Sequence, residues 1–253
     1  MEKLYTPLVG TAAVRDKIRA ITSEQIDAAV HDAIISMYFN GERVPQQDWN
    51  GNLLLVLNTI TRYIAGSILP FDSSAKEDFV IEALEREIET EYTFDSTSGK
   101  RTVVFTGKAD RIDRAADGTL HIIDYKTGAP KGDAARIVEK FESVEALFNG
   151  KPDQRISAVL QTLLYSMMFS RSEKCGVTPM LYYVRNLNRD EYTPLIEDKG
   201  RKQPLRFYSD YAEEFECRLG ETLRAMFDST QPFTRCDDDK PCQWCDYKNI
   251  CKR

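Results

Sequence analysis

Residues 106–128, TGKADRIDRAADGTLHIIDYKTG, constrain the fold of this chain more than any other segment. They contain two runs with the apolar pattern of β-strands, separated by Ala116, Asp117 and Gly118. A three-residue loop of this kind suits a hairpin, because Gly118 can take the positive φ that the turn requires. The sequence therefore predicts two antiparallel strands joined by a tight turn.

Counting outward from the loop predicts which side chains meet on this hairpin. Asp110 falls opposite Asp124, to within one residue. Asp124 and Lys126 point to one face, because side chains two apart on a strand do so. Two facing carboxylates repel each other, and a bound Mg²⁺ or Mn²⁺ ion would offset that repulsion. Lys126 would then orient the attacking water or stabilise charge on a phosphate. The alternative is a surface hairpin with an incidental Asp–Lys pair, and spacing alone does not decide between them.

The residues around these carboxylates resemble the core motifs of RecB-type nucleases in the PD-(D/E)XK superfamily. The matching segments are residues 107–113 (GKADRID) and 123–128 (IDYKTG). Residues 161–165 (QTLLY) are similar to that family's Gln-x-x-x-Tyr motif, and residues 242–251 are similar to the cysteine tail of its AddB-like members. Three motifs in the family's order, over about three-fifths of the chain, are more specific than any one of them.

The resemblance implies a metal-dependent DNA nuclease domain, fused to or partnered with a helicase in DNA repair or recombination, and an exonuclease rather than an endonuclease. It implies that Asp110 and Asp124 bind Mg²⁺ or Mn²⁺ with the backbone carbonyl of Tyr125, and that Lys126 is catalytic with them. Gln161 and Tyr165 would contact DNA. The alternatives are a half-buried polar pair on an apolar helix and, for the whole protein, an inactive nuclease fold that binds DNA or scaffolds a helicase.

A third metal ligand in RecB-type nucleases is a histidine on a helix well before the first aspartate. His31 is a candidate, since residues 30–34 (VHDAI) faintly resemble that helix, but Ala28 and Ala29 replace the glycine that the motif usually has. Residues 4–8 (LYTPL) instead resemble the segment after the histidine helix. We therefore expect this chain to lack the first catalytic motif and favour a structural role for His31. We also interpret His121, the other histidine, as structural.

The cysteines are concentrated near the C-terminal end, where Cys236, Cys242, Cys245 and Cys251 lie close together, whereas residues 1–170 have none. In a cytosolic chain such clustering favours metal over disulfides. Four thiolates suit a Zn²⁺ site or a [4Fe–4S] cluster. The resemblance favours iron–sulfur, although in those relatives the fourth cysteine lies far upstream. Free or partly oxidised thiols are the alternative, and a zinc-binding interaction module would explain the cysteines but not the hairpin.

The composition is that of a soluble globular protein, and 253 residues allow one sizeable domain or two small ones. No apolar run reads as long enough to span a bilayer, and the N-terminus lacks a signal-peptide pattern, so we expect a cytoplasmic protein with no membrane partner. The net charge of −6 argues against a generally basic, DNA-coating surface. It leaves room for a local basic groove beside an acidic metal site.

Taken together, these patterns predict a restriction-endonuclease-like α/β fold, with a central mixed β-sheet of about four or five strands flanked by helices. We expect a single domain over residues 1–253. Its parts would be a helical N-terminal region (1–75), the catalytic sheet with its flanking helices (79–185), and a C-terminal helix with a cysteine-rich tail (205–253).

Two N-terminal helices have explicit signals. A capping box of Thr22 and Gln25 predicts the start of the first, which carries one apolar stripe. The second is predicted over roughly residues 52–69, ending before Pro70. The residues expected to face inward are Ile26, Val30, Ile34 and Tyr38 in the first helix, and Leu53, Val56, Leu57, Ile60 and Ile64 in the second.

Overall fold

The computed structural model of the chain describes residues 1–128, 138–151, 155–232 and 241–252. Its centre is a four-stranded mixed sheet in the order β1-β2-β3-β5, in which β3 is antiparallel to β2 and parallel to β5. The predicted α/β fold with a central mixed sheet is thereby confirmed. The strands are β1 (Phe79–Ser96), β2 (Gly99–Ala115), β3 (Leu120–Lys126) and β5 (Val177–Tyr183).

Parallel strands cannot be joined by a tight turn, so β3 and β5 require a long crossover. Two helices lie in that crossover, α6 (Val144–Asn149) and α7 (Ser157–Glu173), and α7 packs against β3 and β5. A further helix, α8 (Ala212–Met226), packs against α6 and β1. Three short strands form a second sheet: β4 (Lys140–Phe141), β6 (Glu197–Asp198) and β7 (Gln203–Pro204).

The N-terminal region supplies the other helical layer. Thr22 accepts a hydrogen bond from the N–H of Gln25, whose side chain accepts one from the N–H of Thr22, so the predicted capping box is present. Tyr38 is 59% exposed, contrary to the prediction, because the helix ends at Met37. The helices are α1 (Glu2–Tyr5), α2 (Val14–Arg19), α3 (Ser23–Met37), α4 (Gly51–Tyr63) and α5 (Leu69–Ser73).

The predicted helix end before Pro70 is wrong. A π-helical turn, Ile64–Ile68, joins α4 to α5, and Pro70 lies in the first turn of α5. The wider turn accommodates a proline that lacks an N–H, so the helical path continues to Ser73. This continuous run, Gly51–Ser73, is long and apolar enough to cross a bilayer by length and composition alone, contrary to the expectation from sequence. A core helix of a soluble protein can have the same length and composition, so these two properties alone are weak evidence for a membrane span.

The face that α4 buries also differs from the prediction. Leu53 and Ile64 are buried and Leu57 is half-buried, as expected, but Val56 is 46% and Ile60 39% exposed. Because α4 is apolar around most of its circumference, periodicity could not select the buried side.

Each face of the central sheet has its own apolar core. Consecutive residues of β3 divide between the two, since Ile122 packs on the α7 side and Ile123 on the side of the N-terminal helices. Side chains alternate along a strand, so Asp124 and Lys126 lie on the α7 side with Ile122.

The alternation along the β1–β2 pair also shifts near Glu85, apart from the β-bulge between Ile81 and Ala83. Leu84 pairs with Arg111 and Arg86 with Ala109, so Glu85 and Asp110 face each other between these pairs. Glu85 has a φ of +50°, a left-handed conformation that is uncommon for a residue other than glycine. Ala109 and Ile112 both pack in the α7-side core, although regular alternation would separate them. Asp110 thus lies where the side-chain alternation of β2 shifts by one residue.

Candidate active site

Asp110 and Asp124 approach each other across β2 and β3. The pairs Arg111–Ile123 and Ile112–Ile122 set the antiparallel register, and one further step along it places Asp110 opposite Asp124. The N–H of Tyr125 donates a hydrogen bond of 2.9 Å to Oδ2 of Asp110, which holds this carboxylate against β3. The two carboxylates therefore lie on the same face of the sheet.

Asp124 is buried and forms an ion pair with Lys126. The residue is 5% exposed, and its Oδ2 has no hydrogen bond of regular geometry. Nζ of Lys126 lies 2.5 Å from that oxygen as an ion-pair partner. Burial raises the pKa of Asp124, while Lys126 lowers it and Asp110 raises it again. Asp124 thus has one cationic partner, Lys126, and lies beside a second carboxylate, Asp110, that repels it.

Lys126 connects the strand to α7. Its Nζ donates a hydrogen bond of 3.1 Å to Oε1 of Gln161, and Nε2 of Gln161 donates one of 3.1 Å to the hydroxyl of Tyr165. Gln161 and Tyr165 lie four residues apart on one face of α7. A continuous polar chain thus runs from Asp124 through Lys126 and Gln161 to Tyr165. The structure brings together residues from three separate segments of the sequence.

Gly107 explains how Tyr165 can lie so close to β2. A Cβ atom built on Gly107 would lie 2.5 Å from Cε1 and 3.1 Å from Cδ1 of the Tyr165 ring. No side chain fits there unless the ring moves. The ring of Tyr165 therefore rests directly on the backbone of β2, three residues before Asp110.

A second buried charged group lies behind the same strands. Arg111 is fully buried and donates hydrogen bonds to both carboxylate oxygens of Asp113, at 2.7 Å each, and to Oδ2 of Asp72 at 2.6 Å. It also donates to the hydroxyl of Tyr125 at 3.1 Å, and Oδ2 of Asp72 accepts a hydrogen bond from Tyr5. Because Arg111 follows Asp110 and Tyr125 follows Asp124, this network fixes the two strands just behind the paired carboxylates.

A cavity of about 290 Å³ opens beside Lys126 and Gln161. Glu139 and Tyr183 line its far side; both are buried, and the Tyr183 hydroxyl donates a hydrogen bond to Glu139. Burial and this hydrogen bond raise the pKa of Tyr183. Sequence reasoning did not single out either residue. The only signal for Tyr183 is its place in the apolar segment MLYYV, which gives no hint that it pairs with Lys126.

A larger cavity lies on the opposite face of the sheet. It measures about 800 Å³ and is lined by Asp113 and His121, among others, on the side of the N-terminal helices. Burial lowers the pKa of His121. Asp110 and Asp124 line neither cavity, but Lys126, the ion-pair partner of Asp124, lines the smaller one and not this one. We therefore take the smaller opening beside Lys126 as the candidate active site.

The donor set at the paired carboxylates fits a hard divalent cation. Within the described part of the chain no three His, Cys, Asp or Glu side chains group closely enough to hold a metal ion. Mg²⁺, however, needs only one or two carboxylates, because water and substrate phosphate complete its coordination. A cation between the two carboxylates would offset the repulsion by which Asp110 raises the pKa of Asp124. The pair Asp110 and Asp124 suits Mg²⁺ or Mn²⁺ and has too few ligands for a structural Zn²⁺.

His31 lies in a different environment. Its ring stacks on Trp49 with the centroids 4.9 Å apart, and its Nδ1 is 4.0 Å from Asp32. No metal-binding group among the described residues includes it. These contacts give His31 a packing role, and its role as a metal ligand stays a prediction.

The cysteine prediction is tested only in part. Cys236 lies outside the described residues, whereas Cys242, Cys245 and Cys251 are half-buried. The N–H of Cys245 donates a hydrogen bond of 3.3 Å to the carbonyl of Cys242, in a 3₁₀ turn. The three described cysteines do not form a metal-binding group. A Zn²⁺ or [4Fe–4S] site with Cys236 therefore stays a prediction.

Comparison with known proteins identifies the family of the chain. A comparison with curated proteins gives no match. The family model described as the PD-(D/E)XK nuclease superfamily matches residues 1–252, which is nearly the whole chain. The match includes both strands with the paired carboxylates and the helix with Gln161 and Tyr165. The chain belongs to the PD-(D/E)XK nuclease superfamily.

Proposed function

We propose that this protein hydrolyses phosphodiester bonds of DNA in a reaction that depends on Mg²⁺ or Mn²⁺. One observation carries the proposal: Asp110 and Asp124 share a face of the sheet, and Lys126 links Asp124 to Gln161. Two carboxylates and an ammonium beside an open cavity are the groups that metal-assisted hydrolysis needs.

In this proposal each residue has one role. Asp110 and Asp124, with the backbone carbonyl of Tyr125, hold the cation, which would polarise the scissile phosphate and lower the pKa of a bound water. Lys126 orients the attacking water and stabilises the charge that develops on the phosphate. Gln161 keeps the ammonium in place through the 3.1 Å hydrogen bond. The nucleic-acid strand would then lie along α7, where Gln161 and Tyr165 present their polar atoms.

The finer parts of the proposal rest on the resemblance of the motifs to those of RecB-type nucleases. We propose an exonuclease, in the cytoplasm, that acts with a helicase domain or subunit in DNA repair or recombination. The division into a helical part (1–75), a catalytic part (79–185) and a C-terminal part (205–253) belongs to the same proposal. So does a Zn²⁺ or [4Fe–4S] site at the C-terminal cysteines.

The second candidate function is a catalytically inactive nuclease fold that binds DNA or scaffolds a helicase. The net charge of −6 favours only the helicase-scaffolding form of this alternative, since tight DNA binding usually needs a basic surface. Asp110, Asp124 and Lys126 are all present, however, and an inactive fold would have no use for two neighbouring carboxylates that repel each other. Hydrolysis is therefore the better supported function.

The test compares the protein with its Asp124→Ala and Lys126→Ala variants on DNA in Mg²⁺ and in Mn²⁺. We expect each change to lower the rate at least about a hundredfold, because each removes a group that acts on the transition state. Mn²⁺ titration by calorimetry should detect binding in Lys126→Ala and none in Asp124→Ala. The matched controls are Asp27→Ala and Lys100→Ala, which remove the same groups from exposed positions.

Two outcomes would contradict the proposal. Equal cleavage by the Asp124→Ala variant and the unchanged protein would remove the catalytic assignment. If the unchanged protein bound DNA and Mn²⁺ without any cleavage, also in the presence of its helicase partner, the inactive scaffold would be the better description.

A further inference from the structure

Glu85 has a strained backbone in the middle of β1. Its φ of +50° lies in the left-handed region, where the Cβ atom of any residue other than glycine crowds the following carbonyl oxygen. Strain of this kind persists only where the surrounding structure imposes it, and it is concentrated at functional sites. In the register of β1 with β2, Glu85 faces Asp110. The strained residue therefore lies at the level of a proposed metal ligand.

The side-chain alternation of both strands shifts at this level. Before Glu85, Leu84 packs in the core on the side of the N-terminal helices. After it, Arg86 lies over a phenylalanine ring of α7, with its Cζ atom 5.4 Å from the ring centroid. On β2, Arg111 lies on the side of the N-terminal helices and Ala109 in the α7-side core. Residues two apart on a regular strand share a face, so each strand turns over by one position here.

The shift determines which residues of β2 face α7. Gly107 and Asp110 are three residues apart, and a regular strand would place them on opposite faces. In the structure Gly107 lies against the ring of Tyr165, which belongs to α7. Asp110 lies opposite Asp124 on that same face. Without the shift, either the contact with the tyrosine ring or the pair of carboxylates would be lost to the other face.

We propose that Glu85 is a positioning residue of the candidate active site. Its left-handed conformation rotates the β1–β2 hairpin so that Asp110 and the contact of Gly107 with Tyr165 share one face of the sheet. β-Bulges beside active sites re-aim side chains in a similar way, and one common type has a residue in the left-handed conformation. This proposal rests on the proposed function, since it concerns the same carboxylates.

The backbone of Glu85, rather than its carboxylate, carries this role. The side chain is 37% exposed and forms an ion pair of 2.7 Å with Lys108, whose side chain is 53% exposed. An ion pair with this much access to solvent contributes little to stability. Replacements that keep the left-handed backbone should therefore keep the site intact, with or without the carboxylate.

A series of replacements at this position separates the backbone from the charge. Glu85→Gly takes the left-handed conformation without strain, and Glu85→Ala removes the carboxylate but keeps an unbranched Cβ atom. Glu85→Val introduces a β-branched side chain, for which a positive φ is a genuine outlier, so β1 should straighten. Glu89→Val is the control, since Glu89 is exposed on the same strand and has no positive φ. Lys108→Ala removes only the ion pair.

The first measurement needs no metal. Nuclear magnetic resonance should detect the contact of the Gly107 Hα protons with the Tyr165 ring in the unchanged protein and after every change except Glu85→Val. A purely structural role would lower the stability of that variant, measured by urea denaturation, without removing the contact. The second measurement is Mn²⁺ titration by calorimetry. Glu85→Val should weaken binding about 10- to 100-fold, and the other changes should leave the affinity as it is.

A Glu85→Val variant that folds and keeps both the contact and the Mn²⁺ affinity overturns the proposal. So does a Glu85→Gly or Glu85→Ala variant that loses them. If Glu85→Val does not fold while Glu89→Val does, retention of the contact and the affinity in Glu85→Gly and Glu85→Ala supports the proposal. Failure of the proposed function gives a different result: the unchanged protein then binds no Mn²⁺ and cleaves no DNA, while the metal-free contact still decides the role of Glu85.

Discussion

Two buried charged groups lie back to back on β2 and β3, and each consists of two carboxylates and one cation. On the side of the N-terminal helices, Arg111 is fully buried and forms hydrogen bonds with Asp72, Asp113 and Tyr125. On the α7 side, Lys126 is 26% exposed at its side chain and pairs with one oxygen of Asp124.

The two groups differ in the number of hydrogen bonds that the cation makes and in their access to solvent. Arg111 uses its planar fork on several partners at once, which a buried ion pair needs in order to offset its desolvation. Oδ1 of Asp72 is its one carboxylate oxygen without a hydrogen bond. The α7-side group lies beside a cavity, and its one cation is the ammonium of Lys126. The Arg111 group is enclosed by the protein, whereas the Lys126 group lies beside a cavity that a ligand can enter.

The largest effect on stability should come from removing Arg111, the cation of the more deeply buried group. Arg111→Met leaves Asp72 and Asp113 buried without their cation and should lower the free energy of unfolding by about 3–5 kcal/mol. Urea denaturation measures this change. Lys126→Met is the comparison, and we expect its cost to stay below about 1 kcal/mol, because Lys126 reaches solvent. Equal losses of stability in the two variants would remove the distinction between the groups.

A change at Gly107 should affect the α7-side group alone. Gly107→Ala places a methyl group 2.5 Å from the ring of Tyr165 and must displace it. We expect a stability cost of about 1–3 kcal/mol from overpacking and a roughly tenfold loss of DNA cleavage as Gln161 loses its partner. Thermal unfolding and cleavage rates are the two measurements. Gly118→Ala is a poor control because its φ is positive, so Gly51→Ala, which meets no neighbour, is used instead.

Mg²⁺ should stabilise the protein by binding at Asp110 and Asp124. An ion that binds only the folded state adds about 1–3 kcal/mol when its concentration is roughly 10 to 100 times its dissociation constant. The melting temperature should therefore rise with MgCl₂ in the unchanged protein and in Lys126→Met. It should not rise in Asp110→Ala or Asp124→Ala. A Mg²⁺-dependent rise that survives both aspartate changes would place the ion elsewhere.

The smallest effect is a pH dependence of stability that comes from Asp113, in the Arg111 group. Burial raises the pKa of Asp113 to about 6, against the attraction of Arg111, which lowers it. The folded state then binds a proton more readily than the unfolded chain, so this residue's contribution to stability increases as pH falls through about 6. Relative to Asp113→Asn, the unchanged protein should gain about 1 kcal/mol between pH 7 and pH 5. A difference that is constant with pH would mean that Asp113 stays ionised.

Local patterns predicted much of what lies within one segment. The loop at Gly118 fixed the register that sets Asp110 against Asp124, and the box of Thr22 and Gln25 marked the start of α3. These signals depend on neighbours in sequence, so no tertiary information was needed.

Other features depend on contacts between distant segments. The hydrogen bond of Arg111 with Asp72 spans 39 residues, and that of Lys126 with Gln161 spans 35. No spacing rule connects such positions without a known fold. The exposed side of α4 was mispredicted for another reason, since a helix that is apolar all round contains no signal for which face is buried.

The pairing of β3 has a consequence for how the molecule opens. β3 has a neighbour on both edges, but the register of β2 with β3 begins near Asp110, and residues 99–109 of β2 pair only with β1. Amide hydrogen exchange should therefore be slowest at Arg111–Arg114 and in β3, and faster toward the Ser96–Gly99 turn. Asp110 stands at the boundary between these two rates. The part of the β1–β2 hairpin beyond Asp110 can therefore open while Asp124 and Lys126 keep their positions.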